Sequence, residues 1–335
     1  MVNYKIKTVR EDEKLGNARV MDVTVGHKKF LTPSKTMDAP RKRYIYEIYQ
    51  KVSDELMKAS REKRTVLDEF PSKCKDFTIN MIIPEYTGTS LSDQHLYDLE
   101  NRIHPHTDVV IIPRWSGILS SASESTLSKK LWKESERYIE EVRRINGKLI
   151  MGNIPMHRPL SVIDNLIHRY IKEDVTSFVL DYESCKAPGK AHIVRGIAKR
   201  LVDDGLREDS LLYQVNMRKS HDYGDFKPAD DFLSFVDGVD ILGNFHLCGG
   251  GGRPGITKIF SPEHWTYYDG AIGNRNLNDI KAMNHELINI EAEAVKINIC
   301  EHGSALGLAK NKKGAYEYTH YSDQTELNLG GIGWV

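Results

Sequence analysis

Short apolar runs alternate with helix-length amphipathic segments along most of the chain. Residues 30–36, 77–84, 108–113, 148–155, 177–183, 211–217 and 239–246 read as strands, with 258–261 as a fainter eighth. Residues 41–64, 125–145, 160–173, 192–204 and 228–236 carry helical periodicity, several entered through Ser, Asp or Pro and left through Asn-Gly or Asp-Gly. Such alternation calls for a parallel sheet covered by helices. Cores such as Met81-Ile82-Ile83, Val109-Val110-Ile111-Ile112 and Phe178-Val179-Leu180 suit strands sheltered on both faces. The expected fold is therefore α/β, a (β/α)8 TIM barrel over 30–275, with a small antiparallel cap over 1–29 and a C-terminal extension over 276–335. That extension reads as an amphipathic helix, 276–299, followed by a polar, glycine-rich tail expected to be mostly loop.

Three strands finish on Ile-Pro, in Ile83-Pro84-Glu85, Ile112-Pro113-Arg114 and Ile154-Pro155-Met156. Proline cannot donate to a ladder and so marks a strand end, and in a barrel those ends form the catalytic rim. Glu85, Arg114 and His157 are thus rim candidates, unless proline simply stops the strand.

Composition narrows the function classes. The 335 residues hold 47 Lys plus Arg and 47 Asp plus Glu, so any polyanion must meet a local basic face rather than a whole-molecule field. No apolar run reaches the roughly 18 residues that span a bilayer. The four cysteines include no Cys-x-x-Cys pair, and His246, Cys248, His264, His285, Cys300 and His302 match no metal spacing, so neither a metal nor a cofactor is expected. The polar start, Met-Val-Asn-Tyr-Lys-Ile-Lys, lacks an apolar signal region and points to the cytoplasm.

Asp181 and Glu183 stand two residues apart at a strand end, on one face if the backbone stays extended. A carboxylate in a barrel mouth can act as nucleophile, base or acceptor for a heterocycle's N–H groups; the plain alternative is an acceptor for loop N–H groups. Gln214 and Asn216 repeat the spacing on the next strand, and amides suit reading a base edge as well as satisfying rim backbone. Asn244 and His246 lead into Gly249–Gly252 and Arg253, a stretch fit for a phosphate or sugar contact or for a plain linker. Arg41-Lys42-Arg43, with Tyr44 and Tyr46, reads as a helix start that tracks phosphates or as a solvated face.

The N-terminal segments Gly16-Asn17-Ala18-Arg19-Val20, Val23-Thr24-Val25-Gly26-His27 and Phe30-Leu31-Thr32-Pro33 resemble the opening of the tRNA-guanine transglycosylases. Leu180-Asp181-Tyr182-Glu183-Ser184-Cys185 is similar to that family's base-recognition segment, Gln214 to its base-reading glutamine, and Lys227-Pro228 with Asp230-Asp231 to the helix before its nucleophile strand. The resemblance implies a (β/α)8 barrel that exchanges guanine in a nucleic acid for a 7-deazaguanine base through a covalent carboxylate. Asp181 takes the leading catalytic role, with Asp240 and Glu85 behind it. Glu183, Gln214, Asn216, Ser116, Asn244 and His246 are the substrate-binding candidates. Arg41, Lys42, Arg43 and Arg253 are the nucleic-acid contacts, and Trp115, Trp265, Tyr182 and Tyr86 are the stacking candidates.

The chain departs from the family pattern at three points. Gly243 follows Asp240-Ile241-Leu242 where the family has its nucleophile, Arg114-Trp115-Ser116-Gly117 lacks the general-base aspartate, and the Cys-x-Cys-x-x-Cys motif is missing. These departures suit a divergent member that modifies DNA, as phage and bacterial relatives do, or a non-catalytic partner subunit in a heteromer or homodimer. An unrelated barrel lyase or hydrolase acting on a small molecule is the remaining alternative.

Overall fold

A computed structural model of the chain describes residues 3–42, 44–145, 147–219, 227–247, 256–271 and 276–328. The chain divides into two compact units. The first is Met1–Lys5, Val23–Phe30 and Asp38–Val179; the second is Ile6–Asp22, Leu31–Met37 and Leu180–Val335.

The chain opens with β1 (Tyr4–Glu11), β2 (Arg19–Val25) and β3 (Lys28–Leu31), a three-stranded sheet in that order. Gly26, at φ +60°, turns β2 into β3, a conformation that favours glycine. The strand expected over 30–36 is broken by Pro33, which has no N–H to offer; β4 (Ser34–Lys35) follows as a separate strand.

In the first unit β5 (Ile45–Val52), β6 (Ile79–Tyr86), β7 (Val109–Ile111) and β9 (Ile150–Pro155) lie side by side and parallel. Between β7 and β9 in sequence, β8 (Arg114–Trp115) pairs back onto β6, setting Glu85 opposite Arg114. Every residue of β6 is buried, as a two-sided parallel strand requires. Helices α1 (Asp54–Glu62), α2 (Phe70–Lys73), α3 (Asp93–Ile103), α4 (Ser116–Ser121), α5 (Glu124–Ile145) and α6 (Leu160–Lys172) accompany these strands. The face of α5 that carries Leu127, Leu131, Trp132, Ser135, Tyr138 and Val142 is buried, following the 3.6-residue period.

One expectation fails here. Residues 41–64 do not form one helix: β5 occupies 45–52, and α1 begins only after Ser53, whose hydroxyl accepts the Leu56 N–H at 3.2 Å. The β-branched and aromatic content of Ile-Tyr-Glu-Ile-Tyr-Gln-Lys-Val favours a strand. Its buried Ile45, Ile48 and Val52 also fit helical spacing, so this stretch satisfies both periods.

In the second unit β11 (Leu212–Val215), β13 (Ile241–Leu242) and β4 run parallel, with Gln214 opposite Leu242 and Leu242 opposite Lys35. The end of β10 (Ser177–Asp181) enters this unit, and the next residue, Tyr182, donates its N–H to the Val215 carbonyl. A separate antiparallel sheet is built from β12 (Lys227–Pro228), β15 (Thr266–Ala271) and β14 (Ile256–Ser261), in that order. Residues 258–261 therefore belong to a hairpin and not to an eighth parallel strand. Helices α7 (Ala191–Asp203), α8 (Asp230–Leu233), α9 (Leu277–His302), α10 (Leu306–Ala309) and α11 (Lys313–Asn328) complete the unit. The tail expected to be loop is thus largely helical; buried Ala315 and Tyr318 anchor it, and the Tyr318 hydroxyl donates to Asp237.

Two asparagines of α9 finish the sheet edges. Asn289 accepts the Lys35 N–H at 2.9 Å and donates to the Lys35 carbonyl at 3.0 Å, while Asn284 does the same for β14 through Phe260 and Lys258, at 2.9 and 2.8 Å. Side-chain amides satisfy edge backbone that would otherwise recruit another strand. The architecture is mixed α/β with a mostly parallel sheet flanked by helices, and closure into a barrel is not found among the described strands. No helix among the described residues is long and apolar enough to cross a membrane.

Candidate functional site

The strand ends of the second unit gather most of the sequence-derived candidates. Asp181, wholly buried, closes β10; its Oδ1 accepts Asn216 Nδ2 at 3.0 Å and the Glu183 N–H at 3.1 Å. Glu183, Ser184 and Asn216 take φ values of +47°, +71° and +57°. The chain therefore bends sharply just past Asp181, so Asp181 and Glu183 are not aligned on one extended face. Asparagine tolerates this left-handed region better than most residues, and Asn216 exploits it as a hub. Its N–H donates to the Asn244 carbonyl at 2.9 Å, its carbonyl accepts the Ser184 N–H at 3.0 Å, and its Oδ1 accepts the His246 N–H at 3.0 Å. Asp181, Glu183, Asn216, Asn244 and His246 are thereby drawn into one hydrogen-bonded cluster.

Gln214 is also wholly buried. Its Nε2 donates to the Asp231 carbonyl at 2.5 Å, which fixes the amide's orientation, and its Oε1 meets no hydrogen-bond donor among the described residues. Such an acceptor is costly to leave unmade. The Asp231 carboxylate receives the Tyr267 hydroxyl at 2.9 Å on both oxygens, with Lys219 Nζ 3.7 Å from Oδ2 and 4.0 Å from the Tyr267 ring centroid. Burial, then the Asp231 charge, pushes the Tyr267 hydroxyl far above its usual range.

Several cations in this unit escaped the sequence reading. Lys35, 2 % exposed, donates its Nζ to the Gly243 carbonyl. Burial, followed by the charges of Lys35, Lys219 and Lys281 and by His246, pushes the His285 imidazole far down, so it stays neutral. Burial first, then Lys219 and Lys227, lowers Lys258 to about 8. The available signal was the Ser34-Lys35-Thr36 segment after Thr-Pro, a charged residue inside a predicted strand.

Asp240 lies at the opposite end of its strand, just before β13. Arg19 grips it with Nε on Oδ1 at 2.9 Å and Nη2 on Oδ2 at 2.8 Å, and the Leu212 N–H adds 2.8 Å. Arg207 stands 3.6 Å from the same carboxylate. The Ala18-Arg19 pair of the N-terminal motif thus serves a buried ion pair.

In the first unit Glu85 and Arg114 meet at 2.7 Å, Tyr49 donates its hydroxyl to Glu85 at 2.9 Å, and the Ser116 hydroxyl donates to the Tyr86 carbonyl at 3.0 Å. His157 is exposed. Arg41 and Lys42 are exposed ahead of β5, while Arg43, Cys248 and Arg253 lie outside the described residues. The proposed stacking rings are core: Trp265 packs edge-on against Phe232 and Phe235, and Trp115 against Tyr86 and Tyr138. Among the described residues no group of three or more His, Cys, Asp or Glu side chains is arranged to hold a metal ion. No protein-family model and no curated protein matches the sequence.

Proposed function

We propose that this chain is a divergent relative of the tRNA-guanine transglycosylases that exchanges guanine in nucleic acid, DNA before tRNA, for a 7-deazaguanine base in the cytoplasm. The observation that carries the reading is a pair of wholly buried acceptors at neighbouring strand ends, the Asp181 carboxylate and the Gln214 Oε1 that meets no donor among the described residues. A guanine edge presents ring N–H and exocyclic amine donors to such acceptors, and burial makes each of those bonds count. The N-terminal motif and the segment from Leu180 to Cys185 support the same family.

In this reading Asp181 accepts the guanine N–H groups while a carboxylate oxygen attacks C1′ as the C1′–N9 bond breaks. The bonding pair departs with guanine, which takes up a proton. The incoming base loses its own proton, its N9 displaces the carboxylate from C1′, and two inversions give net retention. A duplex target must first extrude its guanine, at a cost of a few kcal/mol.

A second reading is a base-binding partner subunit without catalysis. It is favoured by Gly243, which follows β13 where the family has its nucleophile, and by the engagement of Asp240 with Arg19. Incubation with radiolabelled guanine and either duplex DNA or tRNA separates the two. Label entering polymer supports exchange; tight base binding without incorporation supports the partner subunit; neither result leaves the family reading without support.

A further inference from the structure

The first unit holds an open cleft of about 390 Å³ whose walls include Thr87, Arg114, Ser116, Gly117, Ser120 and Arg158. Two guanidinium groups and three hydroxyls face one space, and its described lining includes no carboxylate. Gly117 makes the wall possible. A Cβ there would stand 2.1 Å from the Gly88 carbonyl oxygen and 2.4 Å from that of Thr87, so only glycine lets the start of α4 close against residues 87–88.

The electrostatics favour an anion. Arg114, 9 % exposed, is held by Glu85 Oε1 at 2.7 Å, and Lys51 Nζ faces Glu85 Oε2 at 3.8 Å. That carboxylate is shared by Arg114 and Lys51, and Arg158 brings a second guanidinium to the lining. The Ser116 and Ser120 hydroxyls now donate to the Tyr86 and Gly117 carbonyls, at 3.0 and 3.1 Å, and as rotors they can turn to an oxyanion. Guanidinium forks match phosphoryl oxygens in geometry as well as charge. The volume belongs to the class of small-molecule sites, which run from about 300 to 1,000 Å³, so it suits an ester better than a bare ion.

We propose that this cleft binds the phosphoryl group of a phosphate ester, with Arg114 and Arg158 as its two guanidinium groups. The proposal does not rest on the base-exchange reading. The ester is either a phosphomonoester or a nucleic-acid diester, and the experiment separates them with two probes that carry no guanine. Ribose 5-phosphate, with ribose as control, and unphosphorylated hexathymidylate are each titrated calorimetrically into the full chain and into Arg158→Gln and Ser120→Asp variants. Both substitutions sit away from the Glu85–Arg114 pair, so the fold is retained, as circular dichroism checks.

The expected result is binding of ribose 5-phosphate but not ribose, weakened about tenfold or more by either variant. The same loss seen with hexathymidylate in place of ribose 5-phosphate assigns the cleft to a backbone diester and equally supports the phosphoryl site. Binding of neither probe by the wild-type chain, or equal binding by all three proteins, overturns it. A 7-deazaguanine titration of Arg158→Gln is unchanged under this proposal. If that base fails to bind even the wild type while phosphate esters do, the exchange reading falls alone.

Discussion

Asp181 and Asp240 are both buried aspartates of the second unit, yet their surroundings are opposite. Asp240 faces a bidentate guanidinium from Arg19, with Arg207 behind it, and completes a charge-compensated lock. Asp181 Oδ1 accepts an amide and a backbone N–H at the bend that follows β10. Burial alone therefore does not mark a functional carboxylate. What distinguishes the two is place: Asp240 precedes β13 within an arginine pair, whereas Asp181 closes β10 beside the Gln214 strand, where the proposed base sits.

The largest effect tests the lock. Arg19→Met leaves Asp240 buried without its main cation and strips donors from the Arg207 and Ser210 carbonyls, so urea unfolding should show a loss of about 3–5 kcal/mol. A loss under about 1 kcal/mol would mean that Asp240 is not anchored as described.

A third buried carboxylate extends the comparison to a case in which burial outweighs the nearby charge of Lys148. Burial pushes Glu100, on α3, from 4.5 up to about 7, against a partial offset from the Tyr138 hydroxyl beside it. Because the fold favours the protonated form, it binds more protons than the unfolded chain between those two values, and stability falls as pH rises through that window. Relative to Glu100→Gln, the wild type should lose on the order of 3 kcal/mol between pH 4.5 and pH 8. Parallel stability curves for the two proteins would show that folding leaves the Glu100 carboxyl unshifted.

Asp181→Asn should be mild by contrast. The new Oδ1 still accepts the Asn216 amide and the Glu183 N–H, so stability should stay within about 1–2 kcal/mol of wild type by the same urea assay. A loss as large as that of Arg19→Met would make Asp181 a second structural anchor and erase the distinction. The smallest effect concerns exposed charge. Arg41→Ala with Lys42→Ala should leave the unfolding midpoint nearly unchanged and lower the salt slope of DNA or tRNA binding by about 2. An unaltered slope assigns the pair to solvated surface.

The sequence made the parallel strands legible where apolar runs were continuous, as in β6 and β10, because a strand buried on both faces needs no partner to reveal its period. It misled at 45–52, where three apolar residues fit both periods, and at 258–261, where a four-residue run cannot reveal whether its neighbour is parallel. Asp181, Gln214 and Asn216 were found because strand-end polar residues are conspicuous. The bend that joins Asn216 to His246 was not legible, since left-handed non-glycine residues carry only a weak sequence signal. Lys35 was missed for a related reason: it comes together with the rest through tertiary packing between segments about 250 positions apart, as the Lys35–Asn289 bonds illustrate. The role of Arg19 was likewise hidden, because its partner Asp240 lies 221 residues away.

The claim that Asp181 is a ligand-facing carboxylate is tested most directly by calorimetric titration of a 7-deazaguanine base into the wild-type chain and into Asp181→Asn. Saturable one-to-one binding by the wild type, abolished in the variant while its urea midpoint holds, is the predicted result. Equal binding by both proteins, or none by the wild type, would contradict the assignment of Asp181 as the base acceptor.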